Sequence, residues 1–304
     1  IHNGFYIAFK KLGFKTYYLD DNDDVSNYDF SNTLFITEHQ VNKKIPLRQD
    51  CLYLTHYIDD GDYVGIPKKN IIILKVSLRD FIEKELNLRL NYVELKYGQK
   101  YEYHAVDNNG YNSLYMYWST DLLPEEIEKN MENIKNEEIT KNNKTENVIN
   151  FIGSMTSKWE EFYRICSQNQ IRFNNYGATF NVCSDKNVSI TNNVNLTKQS
   201  IIAPALQDDY QIYNNYIPCR IFKNISYGKM GITNNRIVNE LFDNKLIYET
   251  DLSLLLQKGL DFEKKENKNE LVLELMNYVK DNHTYLNRAN TIIKYVNEYT
   301  DFVI

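Results

Sequence analysis

"NVINFIGSMTSKWEEFYRICSQNQIRFNN", residues 147–175, is the stretch that decides the fold class. Its start, 147–155, reads as a buried strand running into Gly153-Ser154. A helix follows from about Ser157 to Gln168, with Thr156 or Ser157 placed to cap its first N–H groups. "IRFNN" (171–175) then reads as a further strand. Strand, glycine turn, helix and strand form the unit from which α/β folds with parallel sheets are built.

The same alternation extends outward. Upstream, "TLFIT" (33–37), "CLYLTH" (51–56) and "NIIILKVS" (70–77) are short β-branched or aromatic runs between polar turns, as buried parallel strands are. The opening residues read as a helix ending at Gly13, which tolerates positive φ, followed by a strand at 15–19. A chain opening directly on that helix lacks the strand such a unit begins with, so a preceding segment is expected. Residues 92–118 alternate apolar and polar side chains around an Asn-Asn-Gly turn and predict a hairpin. Downstream, "SIIAPAL" (200–206) reads as a strand, and 270–299 carries the 3.6-residue period of one or two terminal helices.

Between the halves lies "STDLLPEEIEKNMENIKNEEITKNNKTEN" (119–147). Ser119 or Thr120 is placed to cap a helix with Glu125 and Glu126 in its first turn, and the 135–147 tail is charged and aperiodic. The expected organisation is an N-terminal lobe (1–118), a connector (119–146) and a C-terminal lobe (147–304).

Composition narrows the function. The chain has 304 residues, is 42% hydrophobic and 25% charged, and so is long and apolar enough for two cored domains. Its 25 tyrosines sit among many Asn, Ile and Lys, the drift of an AT-rich genome, so motifs built on Asn or Tyr arise easily by chance. A net charge of −6 without a basic stripe argues against nucleic acid as a partner. Cys51, Cys166, Cys183 and Cys219 form no metal-type pair and fit reduced thiols, so a cytoplasmic location is expected, the host cytoplasm if the source is viral. No apolar run reaches the ~20 residues of a membrane-crossing helix.

Two constellations carry chemistry. Gly153-Ser154 ends a strand just before a helix start, where exposed N–H groups attract anions; an ordinary βα turn would also need the glycine. In "IPCRIFKNISYGKMGITNN" (217–235), Arg220 and Lys223 share a face if the segment is helical, and Gly228 ends that helix. A guanidinium fork and an ammonium point charge together suit a diphosphate; the bland alternative is a solvated basic face.

These parts, with "DNHTYLNRANTII" further on, resemble the C-terminal half of GT-B glycosyltransferases. The nearest subgroup is the CgeB-like and glycosyltransferase-group-1-like proteins, including those of giant viruses. The shared pattern is Arg220, Phe222, Gly228 and Ile232-Thr233, then His283-Thr284-Tyr285 and Arg288. The resemblance spans roughly 147–295 and implies two doubly wound Rossmann-like lobes facing a cleft. It further implies a nucleotide-sugar donor, by default a UDP-sugar, as co-substrate, no other cofactor, and a glycan or other hydroxyl acceptor. Gly153, Ser154, Arg220, Lys223, Asn224, Gly228, Thr233 and Asn234 would then line the donor site. Many relatives carry a glutamate where this chain has Lys223, and another eight residues earlier where it has Asn215. Lysine cannot accept the ribose hydroxyl bonds of a carboxylate, so ribose recognition must differ here.

An inverting transfer needs a base for the acceptor hydroxyl. His56 and Asp59 follow a strand end, where open α/β sheets place their sites. Glu38 and His39 follow the preceding strand, and His2 opens the first helix. The order of candidates is His56, Asp59, His2 and Glu38, while His283 reads as support for the terminal helix. Adjacent Asp59-Asp60 and Asp208-Asp209 chelate poorly, so no essential metal is expected. Trp118 and Trp159 could stack on a sugar or base, with core packing as the commoner use. Two other readings are a nucleotide-sugar 2-epimerase of the same fold and a non-catalytic sugar- or nucleotide-binding module.

Overall fold

The computed structural model describes residues 2–20, 22–41, 43–78, 92–107, 109–140, 147–176 and 190–304. The fold is mixed α/β with parallel-dominated sheets. Packing divides the chain into two compact units: Ile1–Trp118 with Tyr285–Ile304, and Ser119–Thr284.

The first unit holds a six-stranded sheet in the order β1-β2-β3-β6-β5-β4. Strands β1 (Leu34–Thr37), β2 (Leu52–Thr55), β3 (Ile71–Lys75) and β6 (Asn112–Tyr115) run parallel. β5 (Tyr103–Val106) and β4 (Tyr92–Glu94) extend the sheet antiparallel beyond β6. Burial follows position: all four residues of β2 are buried, whereas β1 at the edge is mostly half-buried. That is why the central strands read as unbroken apolar runs rather than alternating ones. Helix α1 (His2–Lys11) buries Phe5, Ala8 and Phe9, and Phe5 meets Tyr285 of the terminal helix edge-on at 4.9 Å. The hairpin expected over 92–118 is β5-β6, joined around Asp107, which accepts from the Asn109 and Tyr111 amides; Asn108 of its turn lies outside the described residues.

The second unit is built around β7 (Val148–Phe151), parallel to β8 (Arg172–Asn175), and β9 (Ile232–Thr233), parallel to β10 (Ile247–Tyr248). The run at 200–206 joins the pairs. Ile201 N–H donates to the Val148 carbonyl at 2.7 Å, and Ala205 N–H donates to Ile232 at 2.8 Å beside a parallel bridge to Thr233. The resulting order, β8-β7-(201–205)-β9-β10, reverses direction between β7 and 201–205. Such a reversal opens a crevice at the carboxyl ends of the two strands, where α/β sheets bind their ligands.

The helices of this unit are α2 (Pro124–Thr140), α3 (Ser157–Gln168), α4 (Ile190–Gln199), α5 (Asp209–Tyr213), α6 (Cys219–Ser226), α7 (Arg236–Leu241), α8 (Leu252–Glu263) and α9 (Lys268–Asn282). The last helix, α10 (Tyr285–Tyr299), belongs to the first unit. α3 occupies the span expected from its sequence and buries Trp159, Phe162 and Cys166, each fully buried aromatic contributing ~1.5–3 kcal/mol. α6 ends in a glycine-dependent motif: Gly228 has φ 97°, its N–H donates to Ile225, and Lys229 N–H reaches back to Asn224.

Two local expectations fail. Residues 15–19 form no strand, because Lys15, Tyr17 and Tyr18 are exposed and no ladder partner lies beside them among the described residues. Ser119 and Thr120 do not cap α2, which starts later at Pro124; both are fully buried, and the Thr120 hydroxyl lies 2.7 Å from that of Ser226. Ile127 and Met131 are buried as α2 packs on α9, while 141–146 lie outside the described residues.

Candidate functional site

α6 turns one face toward the crevice of the second unit. Cys219, Arg220, Lys223, Asn224 and Tyr227 recur at helical spacing along a cavity of about 120 Å³. Phe151 and Ile152 close it from the end of β7, Ala203 and Pro204 from the neighbouring extended run. Ile221, Phe222 and Ile225 occupy the opposite face of the helix and are fully buried, which fixes its rotation.

Arg220 is the group around which this cavity is organised. Its guanidinium stacks over the Phe151 ring at 4.4 Å and lies 5.5 Å from the Trp159 ring. One Nη donates to the Ile152 carbonyl at 2.7 Å. Among the described residues no carboxylate pairs with it, and burial pulls its pKa below the usual arginine range. A cation oriented by two rings and one carbonyl, yet left without a counter-charge, is a ready anion site. Gly153 makes this possible. Its φ is 150°, and a Cβ there would collide with the guanidinium. The glycine in this turn admits Arg220 rather than simply leaving room for a ligand.

Lys223 plays a different part. Its ammonium lies 2.7 Å from an Asp121 carboxylate oxygen, and the Tyr227 hydroxyl donates to the other oxygen at 2.6 Å. Burial, the largest single influence, lowers the Lys223 pKa, but the Asp121 carboxylate together with Cys219 leaves the lysine above its ordinary value. Burial also drives the Tyr227 phenol well up, so it stays a donor. Asp121 thus cancels Lys223, and Arg220 supplies the cavity's net positive charge. Asn224 is committed to the backbone, donating to the Ala203 carbonyl at 2.7 Å.

The other residues expected to bind a donor stand apart. Ser154 is exposed in the turn after Gly153. Gly228 caps α6, and a Cβ there would press on Ile134. Thr233 is buried in β9, and Asn234 exchanges two hydrogen bonds with the Gln207 backbone, so both brace strand ends. His283 is buried against Phe222, Phe242 and Tyr278. Arg288 is fully buried, 3.0 Å from Glu102 and stacked 4.4 Å over Tyr117 within the first unit.

The first unit brings His2 and His56 together. Their Nε2 atoms are 3.5 Å apart and the rings stack at 5.7 Å. Burial, then the neighbouring His2, presses His56 down to about 4, against the opposing pull of Glu38. His2 is lowered as well, chiefly by burial. His56 is therefore neutral at physiological pH, with its Nε2 facing that of His2, and Trp118 packs edge-on against it at 5.1 Å. Asp59 is exposed and not part of this pair. It gathers instead with His39 and Asp62, one ligand atom from each lying within 4.8 Å of the others. His39 Nδ1 already accepts from the Val41 amide, and Asp62 from the Asp59 amide, so these loops are largely satisfied by themselves.

Asp121 and Asn193 are site residues that sequence reading missed. Asp121 lies 106 residues from Tyr227, and nothing local in its surroundings announces that partnership. The helical recurrence of 219, 220, 223, 224 and 227 was the available signal. No protein-family model, curated protein or solved structure matches this chain. Among the described residues no helix is long and apolar enough to cross a membrane.

Proposed function

We propose that the chain is a GT-B-type glycosyltransferase that moves a sugar from a nucleotide-diphosphate donor, a UDP-sugar by default, to a hydroxyl acceptor. The observation that carries the proposal is Arg220: an oriented guanidinium without a counter-charge among the described residues, in a cavity at the carboxyl ends of parallel strands. It would hold the diphosphate and stabilise the charge that develops as the glycosidic bond breaks. His56 is the candidate base, neutral at working pH and flanked by His2. A base of this type suits an inverting reaction, and the scheme needs no metal.

Calorimetric titration with UDP-, GDP- and TDP-sugars, with and without Arg220→Ala, tests the proposal. Micromolar binding of at least one nucleotide, lost in the variant, is expected; no binding of any of them would refute it.

One observation favours a second reading, a non-catalytic nucleotide- or sugar-binding module. The Asp121 carboxylate, which lies 2.7 Å from Lys223, is already engaged by that lysine and by the Tyr227 hydroxyl. Transfer or donor hydrolysis above background, abolished in His56→Ala, would exclude the module. Isomerisation of the donor without an acceptor would instead indicate the epimerase.

A further inference from the structure

A residue on the wall of the cavity beside Arg220 carries a polar atom that has no partner among the described residues. Asn193 lies on α4, and its side-chain carbonyl oxygen is buried with no hydrogen-bond donor in reach among the described residues. A buried acceptor left bare costs about 1–3 kcal/mol. The other amides of the wall bear no such cost. Asn150 donates to the Leu196 carbonyl at 2.9 Å and accepts from Asn174 at 2.9 Å, and Asn224 donates to Ala203 at 2.7 Å.

Arg220 and Asn193 make opposite demands. A guanidinium only donates, so it calls for an anionic oxygen; an amide carbonyl only accepts, so it calls for an O–H or N–H. A bare anion satisfies the first and is repelled by the second. We infer that Asn193 determines ligand choice by accepting a hydrogen bond from a hydroxyl or N–H of the same molecule whose anionic group sits on Arg220. This rests on the nucleotide-sugar reading and deepens it. The ribose, the base or the sugar supplies the donor, and Asn193 does here what a carboxylate would do in a site with a spare one.

The test uses the full chain and two probes: UDP, which carries anionic and donor groups, and sulfate, which at neutral pH has acceptor oxygens alone. Asn193→Leu keeps the branched side-chain shape and removes the acceptor; Asn193→Ala is the fallback if the bulkier leucine packs poorly. UDP affinity should fall about tenfold in either variant, while sulfate affinity stays within about twofold. The ligand-free melting temperature of Asn193→Leu should equal or exceed that of the unaltered chain, because a bare buried acceptor has been removed; a structural role for Asn193 would lower it. Unchanged UDP affinity, or an equal loss for sulfate, overturns the inference alone. Absence of UDP binding by the unaltered chain overturns the nucleotide reading and this inference with it.

Discussion

Two arginines of this protein are set up alike and left in opposite electrostatic states. Arg220 and Arg288 each stack 4.4 Å over an aromatic ring, and each donates to a backbone carbonyl, of Ile152 and Tyr117 respectively. Arg288 is completed by Glu102 at 3.0 Å, with both side chains fully out of water. Arg220 has no carboxylate among the described residues and borders a cavity. Stacking and a carbonyl bond orient a guanidinium, but only the counter-charge decides whether it is satisfied. Where the fold supplies that charge, the arginine is part of the core; where it withholds it, a ligand is the natural source.

The strongest way to break this contrast is to remove one partner of the closed pair. Glu102→Ala leaves the Arg288 charge buried and unpaired, and should cost about 3–5 kcal/mol in urea unfolding. Arg220→Ala should instead leave the urea midpoint nearly unchanged and weaken UDP binding about 100-fold by calorimetry, the scale of a lost charge-assisted pair. A stability loss in Arg220→Ala as large as in Glu102→Ala would make both arginines structural. Gly153→Ala introduces a Cβ against the guanidinium at a positive φ. It should weaken binding about tenfold and destabilise by about 1–3 kcal/mol. Asp121→Asn withdraws the charge that cancels Lys223, and should tighten sulfate binding by about threefold at low salt, an increase that fades as ionic strength rises.

The smallest effect concerns the first unit and acid. His56 titrates near 6.5 when unfolded and at about 4 when folded, so between these values the unfolded chain binds more protons. His2 is shifted in the same direction. Stability is therefore full above pH 6.5 and declines as pH falls toward 4. A His56→Phe variant should show a shallower decline of its thermal midpoint over that window. An identical decline would detach the histidine pair from acid sensitivity.

The helices and strands were largely legible because their signals are local. α3 is specified by its apolar spacing and the glycine turn before it, and β1, β2, β3, β7 and β8 lie inside the runs that predict them. The strand expected at 15–19 failed because an aromatic run reads as β whether or not a neighbouring strand exists to pair with it. The site was legible only in part. Arg220 and Lys223 are close in sequence and share the expected helix face, but their fates depend on distant residues. Asp121 neutralises one, and Phe151 with Ile152 orients the other. Thr233 and Asn234 carry the right chemistry for a donor site, yet strand-end hydrogen bonding uses it up. Sequence shows which polar groups exist, whereas tertiary pairing decides which remain unspent.

The assignment of α10 to the first unit has a consequence for the order of assembly. Residues 119–284 form one uninterrupted segment, while the first unit needs chain from both sides of it. Glu102 must wait for partners such as Thr291, 189 residues further on, and for Arg288. During synthesis the second unit can close around its cavity while the first still exposes a carboxylate destined for burial. Loss of the last helix would therefore strike the beginning of the chain, far from the cut in sequence, and spare the middle.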